Sequence, residues 1–411
     1  MKQFLKDAKK ASSIVSTLSG AVKNKVLNDM ADALESNIKT IVLENKKDID
    51  DGEKNNLSSA LMDRLLLNET RIKAMAQAIR DIAALKEPVG KIHEGWTTLT
   101  GLNIQKVSVP IGVIGIIYES RPNVTSDTAA LCLKSGNVCI LKGGKEALNS
   151  NKVIAKVLQE VLEKNNLPKA LISLLPNSSR EGVANLIKQD KYVDLIIPRG
   201  GSALIKYISD NSSVPVVKHD KGLCHTYIHK SASIKTAIDV SINAKCRRAG
   251  ICGAMETMLV DEKIAKKILP KLKVEFDKYK TQLRGCKKTR KIIDIEKATK
   301  EDWETEYLDN ILSIKVVKNI DEAIEHIRTY GSDHSDAIIT ENYTKAEQFL
   351  NSVDSACVYL NASTQFTDGG EFGFGAEVGI STNKLHARGP MGINELTTYK
   401  FKVLGSGQVR S

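Results

Sequence analysis

The sequence predicts an α/β protein of two lobes, each a parallel sheet with helices on both faces, and three observations lead there. Short, almost wholly apolar runs recur from residue 112 onward, too short to span a membrane and too continuous for strands with one wet face. Amphipathic helical stretches separate them, as the crossovers between parallel strands require. The alternation comes in two sets, one ending near residue 217 and one beginning at 233, with a cysteine-bearing stretch at 243–260.

In chain order, residues 1 to 88 read as helical. Ile72, Met75, Ala76, Ile79 and Ile82 recur at steps that share one helix face; Asn68 offers an N-cap, and Pro88 and Gly90 stop the helix. A hairpin follows at 92–109, with Gly95 and Gly101 as breakers. The first alternating set has strands at 112–118, 138–141, 171–175, 193–197 and 215–217, with helices at 150–164, 179–188 and 202–209. The second opens with a helix at 233–244 that delivers the chain into the cysteine stretch. It continues with a strand at 257–260, a lysine-rich helix at 262–279, strands near Ile292 and at 311–317, a helix at 321–330, and strands at 337–339 and 357–360. The tail at 397–408 alternates like a strand, and neither an internal repeat nor a low-complexity linker interrupts the chain.

A chain of 411 residues has room for two or three domains with proper cores, and 42% hydrophobic and 27% charged residues are ordinary globular values. Seven cysteines, at 132, 139, 224, 246, 252, 286 and 357, form no C-x-x-C pair, which points to a reducing compartment and no metal site. The first ten residues hold no signal-peptide core and no run of about 18 apolar residues occurs, so the expectation is a soluble, cytoplasmic protein with no membrane partner. The net charge of +11 is spread along the chain, and clusters such as Lys287, Lys288, Arg290 and Lys291 read as solvated surface. With only 5% aromatic residues there are few platforms on which bases could stack, which argues against nucleic acid.

The stretch N-A-K-C-R-R-A-G-I-C-G-A-M-E-T from Asn243 combines Cys246 and Cys252 with Lys245, Arg247 and Arg248. Nearby cations favour a thiolate, the form of cysteine that attacks carbon. Gly250 and Gly253 frame Cys252 without bulk, so a carbonyl group could approach the sulfur and find backbone N–H donors for its oxyanion. Cys252 is the preferred nucleophile; the alternative is that both thiols are small buried hydrophobes. Three strand ends could cradle phosphate, although none is a standard fingerprint. They are Lys142-Gly143-Gly144-Lys145, Pro198-Arg199-Gly200-Gly201-Ser202 at a helix start, and the segment at 118–125 with Arg121 and Asn123. Two Gly-Gly turns at strand ends of one lobe favour a dinucleotide site over plain turns.

Longer matches carry a resemblance. V-P-I-G-V-I-G-I-I-Y-E-S-R-P-N-V-T from Val109, A-A-L-C-L-K-S-G-N from Ala129, I-L-K-G-G-K-E-A-L-N-S-N from Ile140, I-P-R-G-G from Ile197, N-A-K from Asn243 with Cys252, H-S-D-A-I-I-T-E from His334, and nearly all of 358–410 resemble the gamma-glutamyl phosphate reductases (glutamate-5-semialdehyde dehydrogenases) of the aldehyde dehydrogenase superfamily. The resemblance implies two Rossmann-like α/β lobes plus a small β oligomerisation element. It divides the chain into an NADPH-binding domain at 1–230 with N-terminal helices and the hairpin near 92–109, a catalytic domain at 231–360, and a return segment with an oligomerisation tail at 361–411.

It further implies NADPH-dependent reduction of L-glutamate 5-phosphate to L-glutamate 5-semialdehyde and phosphate in proline biosynthesis, through a thioester on Cys252. Asn123 matches the oxyanion asparagine, Lys142 the lysine at the adenosine ribose, Gly200 and Gly201 the turn at the pyrophosphate, and Asp309 the acid on the nicotinamide ribose. Lys145 would favour the extra phosphate of NADPH, or be a surface lysine. Arg121 and Arg388 could grip carboxylate or phosphate with two hydrogen bonds each, or form structural ion pairs. A homodimer or homotetramer and a functional link to glutamate 5-kinase belong to the same expectation. The chain departs from the reductase pattern at Arg247, Arg248 and Ala249, where Q-R-P is usual, at Gly253, where Asn is usual, and at Lys218, beside His219, where an acid is common. An oxidising NAD(P)-dependent aldehyde dehydrogenase needs a carboxylate to activate water, for which Glu256 and Glu371 are the nearest candidates, whereas a reductase releases phosphate and needs none. That oxidising enzyme is the alternative, with a basic scaffold protein as a third reading.

Overall fold

A computed structural model describes residues 1–218 and 221–410. It divides into two units, Met1–Lys218 with Gly373–Gly379 and Met391–Ser411, and His219–Phe372 with Ile380–Pro390. The change of unit falls before residue 230 because Cys224–Ile228, which the alternation does not reveal, is already a strand of the second sheet. The stretch at 361–411 is shared between the units rather than forming one return segment.

The first unit opens with the helices Lys2–Val15, Gly20–Ser36, Ile38–Lys54, Ser59–Leu65 and Glu69–Ala84. In the last of these the Asn68 side chain accepts the Arg71 N–H at 2.9 Å, and the five residues of the predicted stripe are buried. Burying each large aliphatic side chain contributes about 2 kcal/mol, which holds this face against its neighbours. Strands β1 (Ile92–Thr97) and β2 (Asn103–Pro110) pair antiparallel. Strands β3 (Val113–Ile117), β4 (Val138–Lys142), β5 (Ile172–Leu174) and β6 (Leu195–Pro198) form a parallel sheet in the order β5-β4-β3-β6. All five residues of β3 are buried, as its unbroken apolar run requires. The crossover from β3 to β4 is the helix Asn123–Lys134, where the sequence reads only as a strand end at 118–125. The strand expected at 215–217 is only an isolated bridge between Ile196 and Val216.

The second unit is a seven-stranded parallel sheet of β7 (Cys224–Ile228), β8 (Met255–Asp261), β9 (Gln282–Gly285), β10 (Glu296–Lys297), β11 (Ile311–Val317), β12 (Ser335–Ile339) and β13 (Cys357–Leu360), in the order β10-β9-β11-β8-β7-β12-β13. Successive residues of β8 face opposite ways, so Met258 and Val260 join one core with Ile264 and Ile268 while Leu259 joins another with Ile320 and Ile324. Near Ile292 there is no strand; a one-turn helix, Lys287–Arg290, separates β9 from β10. The helix Tyr343–Ser352, capped by Asn342, supplies the crossover between β12 and β13. The short strands β14 (Ile380–Ser381) and β15 (Gly389–Pro390) pair antiparallel.

The chain then returns to the first unit, where β16 (Thr397–Leu404) pairs antiparallel with β2 and completes a three-stranded sheet. Tyr399, Phe401, Val403 and Leu404 of β16 and Trp96 of β1 are exposed there, with Trp96 edge-on to Phe401 at 6.2 Å. Among the described residues no helix is long and apolar enough to cross a membrane.

Candidate active site

In the second unit the helix Ile234–Cys246 ends at the cysteine stretch, and a turn carries the chain through Cys252 into β8. Cys252 is half-buried on that turn. Two segments, 222–224 and 364–365, fix its backbone. Gly222 lies so close that a Cβ there would stand 2.0 Å from the Cys252 carbonyl oxygen, so only glycine fits. The Cys224 thiol donates to the same oxygen at 3.1 Å. On the far side the Thr364 hydroxyl donates to the Gly253 carbonyl at 2.7 Å, and a Cβ on Gly253 would meet the Thr364 carbonyl oxygen at 3.0 Å. Gly253, where the resemblance leads one to expect Asn, therefore admits the backbone at 364. The Gln365 amide ties down the start of the turn, donating to the Ala244 carbonyl at 2.8 Å and accepting from Arg247 Nε at 3.0 Å. A nucleophile on so constrained a backbone is pre-oriented before substrate arrives.

The charges of this stretch are arranged differently from the sequence expectation. Lys245 is fully buried and its ammonium donates to Glu256 at 2.6 Å, so its charge is offset by a carboxylate. Burial pushes the Glu256 carboxyl up to about 7, against the pull of Lys245, and its second oxygen accepts the Leu308 N–H at 3.3 Å. Arg248 is exposed. Cys246, at the helix end, shares a hydrogen bond with the Thr281 hydroxyl at 3.4 Å, and burial pushes its thiol up. That disfavours the thiolate at Cys246. Glu371 is exposed and turned into the local bend, its N–H donating to Asp368.

Other predicted residues of this unit are placed separately. Arg388 pairs with Asp354 at 2.9 Å and donates to the Asp354 carbonyl at 2.7 Å, the structural ion pair weighed as its alternative role. Asp309 is exposed and accepts the N–H of Asn310. Sequence reasoning missed Glu306, whose carboxylate accepts the Gly222 N–H at 2.8 Å and so braces the segment behind Cys252. It also missed Gly222, Cys224 and Gln365, for which no local pattern signals a contact with residues about 30 or more than 100 positions away.

In the first unit the parallel pairing gathers three predicted sites at one sheet edge, since Ile117 of β3 stands opposite both Lys142 of β4 and Pro198 of β6. Lys142 is half-buried, and burial lowers its pKa while Glu146 and Glu119 oppose the change. Lys145 is exposed on a single 3-10 turn. Gly200 has φ 158, and Gly201 precedes the helix Ser202–Asn211. The Gly201 N–H already attracts an anion, the Glu119 carboxylate at 2.9 Å. Arg121 and Asn123 stand at the start of Asn123–Lys134, where Arg121 is exposed and the Asn123 amide donates to Asp127 at 2.9 Å. Lys218 is half-buried, and His219 lies outside the described residues. Among the described residues no three His, Cys, Asp or Glu side chains converge as metal ligands.

Residues 1–290 match the aldehyde dehydrogenase family. The chain is 68% identical to the gamma-glutamyl phosphate reductase of Sulfurimonas denitrificans and 66% identical to that of Nautilia profundicola, each over 410 residues covering 100% of both chains. A crystal structure of gamma-glutamyl phosphate reductase from Thermotoga maritima superposes with a TM-score of 0.98 at 48% identity, covering 100% of this chain and 99% of that one.

Proposed function

Because the chain belongs to the aldehyde dehydrogenase family, and within it to the gamma-glutamyl phosphate reductases, we propose that it reduces L-glutamate 5-phosphate to L-glutamate 5-semialdehyde and phosphate with NADPH. It is an oxidoreductase of proline biosynthesis, and its family implies a nicotinamide cofactor. The observation that carries the reading is the braced presentation of Cys252, four residues ahead of a Glu256 whose two oxygens are already engaged. A reductase of an acyl phosphate needs the first and has no use for a base that activates water.

The cofactor cradle is tested by the groups present. The N–H of Gly201 opens a ten-residue helix and draws a carboxylate to itself, so the site is suited to a pyrophosphate oxygen, and Lys142 adds a cation at the next strand end. Gly200, Gly201 and Lys142 would hold the dinucleotide, Lys145 would meet the phosphate that distinguishes NADP from NAD, and Asp309 would take the nicotinamide ribose. When bound, NADPH supplies the hydride that brings the acyl carbon to the oxidation level of an aldehyde.

The chain's own groups do the rest. The Cys252 thiolate adds to the acyl carbon, the C–S bond forms, and the C–O bond to phosphorus breaks with phosphate leaving. The Asn123 amide and a backbone N–H near Cys252 carry the oxyanion; one such donor is worth about a hundred- to a thousandfold in rate. After reduction the C–S bond breaks, releasing aldehyde and restoring the thiolate. Arg121 and Arg388 are proposed at the substrate's anionic groups, Arg388 only if it exchanges Asp354 for substrate. We place the enzyme in the cytoplasm as a homodimer or homotetramer joined through the exposed faces of β1 and β16, with glutamate 5-kinase as the source of its substrate.

The reverse reaction tests the reading. Protein, NADP and glutamate semialdehyde should form NADPH only when phosphate is present. Formation without phosphate would establish the oxidising alternative, and no formation at all would overturn both.

A further inference from the structure

We propose that Asp127 is a positioning residue for Asn123, selecting the orientation in which the amide nitrogen rather than its oxygen serves the reacting carbonyl. The inference rests on the oxyanion role given to Asn123. Asn123 is the first residue of its helix, and Asp127 stands one turn later on the same face, with Asn123 Nδ2 donating to Asp127 Oδ2 at 2.9 Å. The terminal torsion of an asparagine is broad and nearly two-fold, so oxygen and nitrogen can exchange places unless a partner chooses between them. An ionised carboxylate only accepts hydrogen bonds, so it repels the amide oxygen and fixes the nitrogen. One amide hydrogen is thereby spent on Asp127, and the second is held in a defined direction.

The groups around Asp127 keep it in that role. Ser126 Oγ donates to its other oxygen at 3.4 Å, and Arg199, on the turn after β6, is the cation that favours the ionised form. Its surface is only partly covered, yet the surrounding chain withdraws enough water that burial pushes the carboxyl up to about 6, with Asn123, Arg199 and Ser126 pulling down. Near pH 7 the carboxylate is ionised and accepts; below about pH 6 it protonates and can donate to the amide oxygen, which permits the wrong orientation.

The test is a double-mutant cycle on kcat and KM of phosphate-dependent NADPH formation. Asp127→Ala should lower kcat by about ten- to a hundredfold, part of the value of an oxyanion donor, with little change in KM. Asp127→Asn, which keeps an acceptor oxygen, should recover part of that loss. In an Asn123→Ala background the Asp127→Ala substitution should cost nothing further, and the fall in parent kcat as pH drops through 6 should vanish. A loss that persists undiminished in that background overturns the proposal, because Asp127 then acts through something other than the amide. If Asn123→Ala alone leaves kcat unchanged, the oxyanion assignment fails first. Should Asp127→Ala not fold, the same cycle with Asp127→Asn decides the matter.

Discussion

Replacing Gly222 with alanine should disable catalysis without touching a side chain that meets substrate. An alanine Cβ at this position would sit 2.0 Å from the carbonyl oxygen of Cys252, 2.6 Å from its carbonyl carbon and 2.7 Å from its Cα. Unbonded heavy atoms rest about 3.5 Å apart, so the segment at 222 and the nucleophile's backbone must separate by roughly 1 to 1.5 Å. All the atoms in the clash are main chain, and no flexible side chain can swing away to absorb it. The bracing bonds oppose the displacement on the other side: Gly222 N–H to Glu306 at 2.8 Å, and the Thr364 hydroxyl to Gly253 at 2.7 Å. A misplacement of about 1 Å in a reacting group costs on the order of a hundredfold in rate, equivalent to about 2.7 kcal/mol of barrier. The assay is the initial rate of phosphate-dependent NADPH formation, with NADPH binding followed by fluorescence as a control, since Lys142, Gly200 and Gly201, proposed to hold the dinucleotide, belong to the other unit. Binding should hold while kcat falls. A Gly222→Ala protein that melts like the parent and turns over within a few-fold of it would refute the argument that this contact sets the nucleophile.

Cys252→Ala should abolish turnover and leave NADPH binding nearly intact, whereas Cys246→Ala should keep most activity; steady-state rates of the two variants separate the thiols, and the opposite result would reassign the nucleophile. Without NADPH, enzyme mixed with glutamate 5-phosphate should release about one phosphate per site in a burst and further phosphate only slowly, as an accumulating thioester requires; equal release from Cys252→Ala, run alongside because the substrate cyclises in solution, removes the evidence for a covalent step. The raised Glu256 carboxyl predicts a pH effect on stability. The folded protein holds this proton more tightly than the unfolded chain, so the contribution is full below about pH 4.5 and is lost as pH rises through about 7. Between pH 5 and pH 8 the parent should therefore lose on the order of 2 kcal/mol relative to Glu256→Gln, read from urea midpoints; a difference that does not change with pH would show the carboxyl titrates normally.

Much of the architecture could be read from the chain alone. Five consecutive buried residues at Val113–Ile117 and the stripe from Ile72 to Ile82 declare themselves, because a strand buried on both faces has to be apolar throughout and a helix buried on one face has to repeat its apolar residues at the helical period. The sequence stretch that matches the reductases also singled out Cys252, and no fold was needed to see it.

Contacts between distant segments could not be read that way. The strand Cys224–Ile228 escapes because His225 interrupts its apolar run; it can be buried only because Asp336, more than 100 residues on, accepts from its ring at 3.0 Å and from its N–H at 2.8 Å. Lys245 looks in sequence like a cation ready to activate a thiol, and the ion pair with Glu256 that neutralises it becomes visible only once the helix Ile234–Cys246 has packed on β8. Gly253 reads in sequence as open space beside a nucleophile and Gly222 draws no notice, yet each is small because another stretch of backbone passes within contact of it. Residue type and periodicity report how a segment meets water, and so they determine which parts of this chain are buried. Which buried groups meet depends on the path of the chain in three dimensions, and that path, by bringing Gly222, Cys224 and Thr364 against one turn, decided how Cys252 is held.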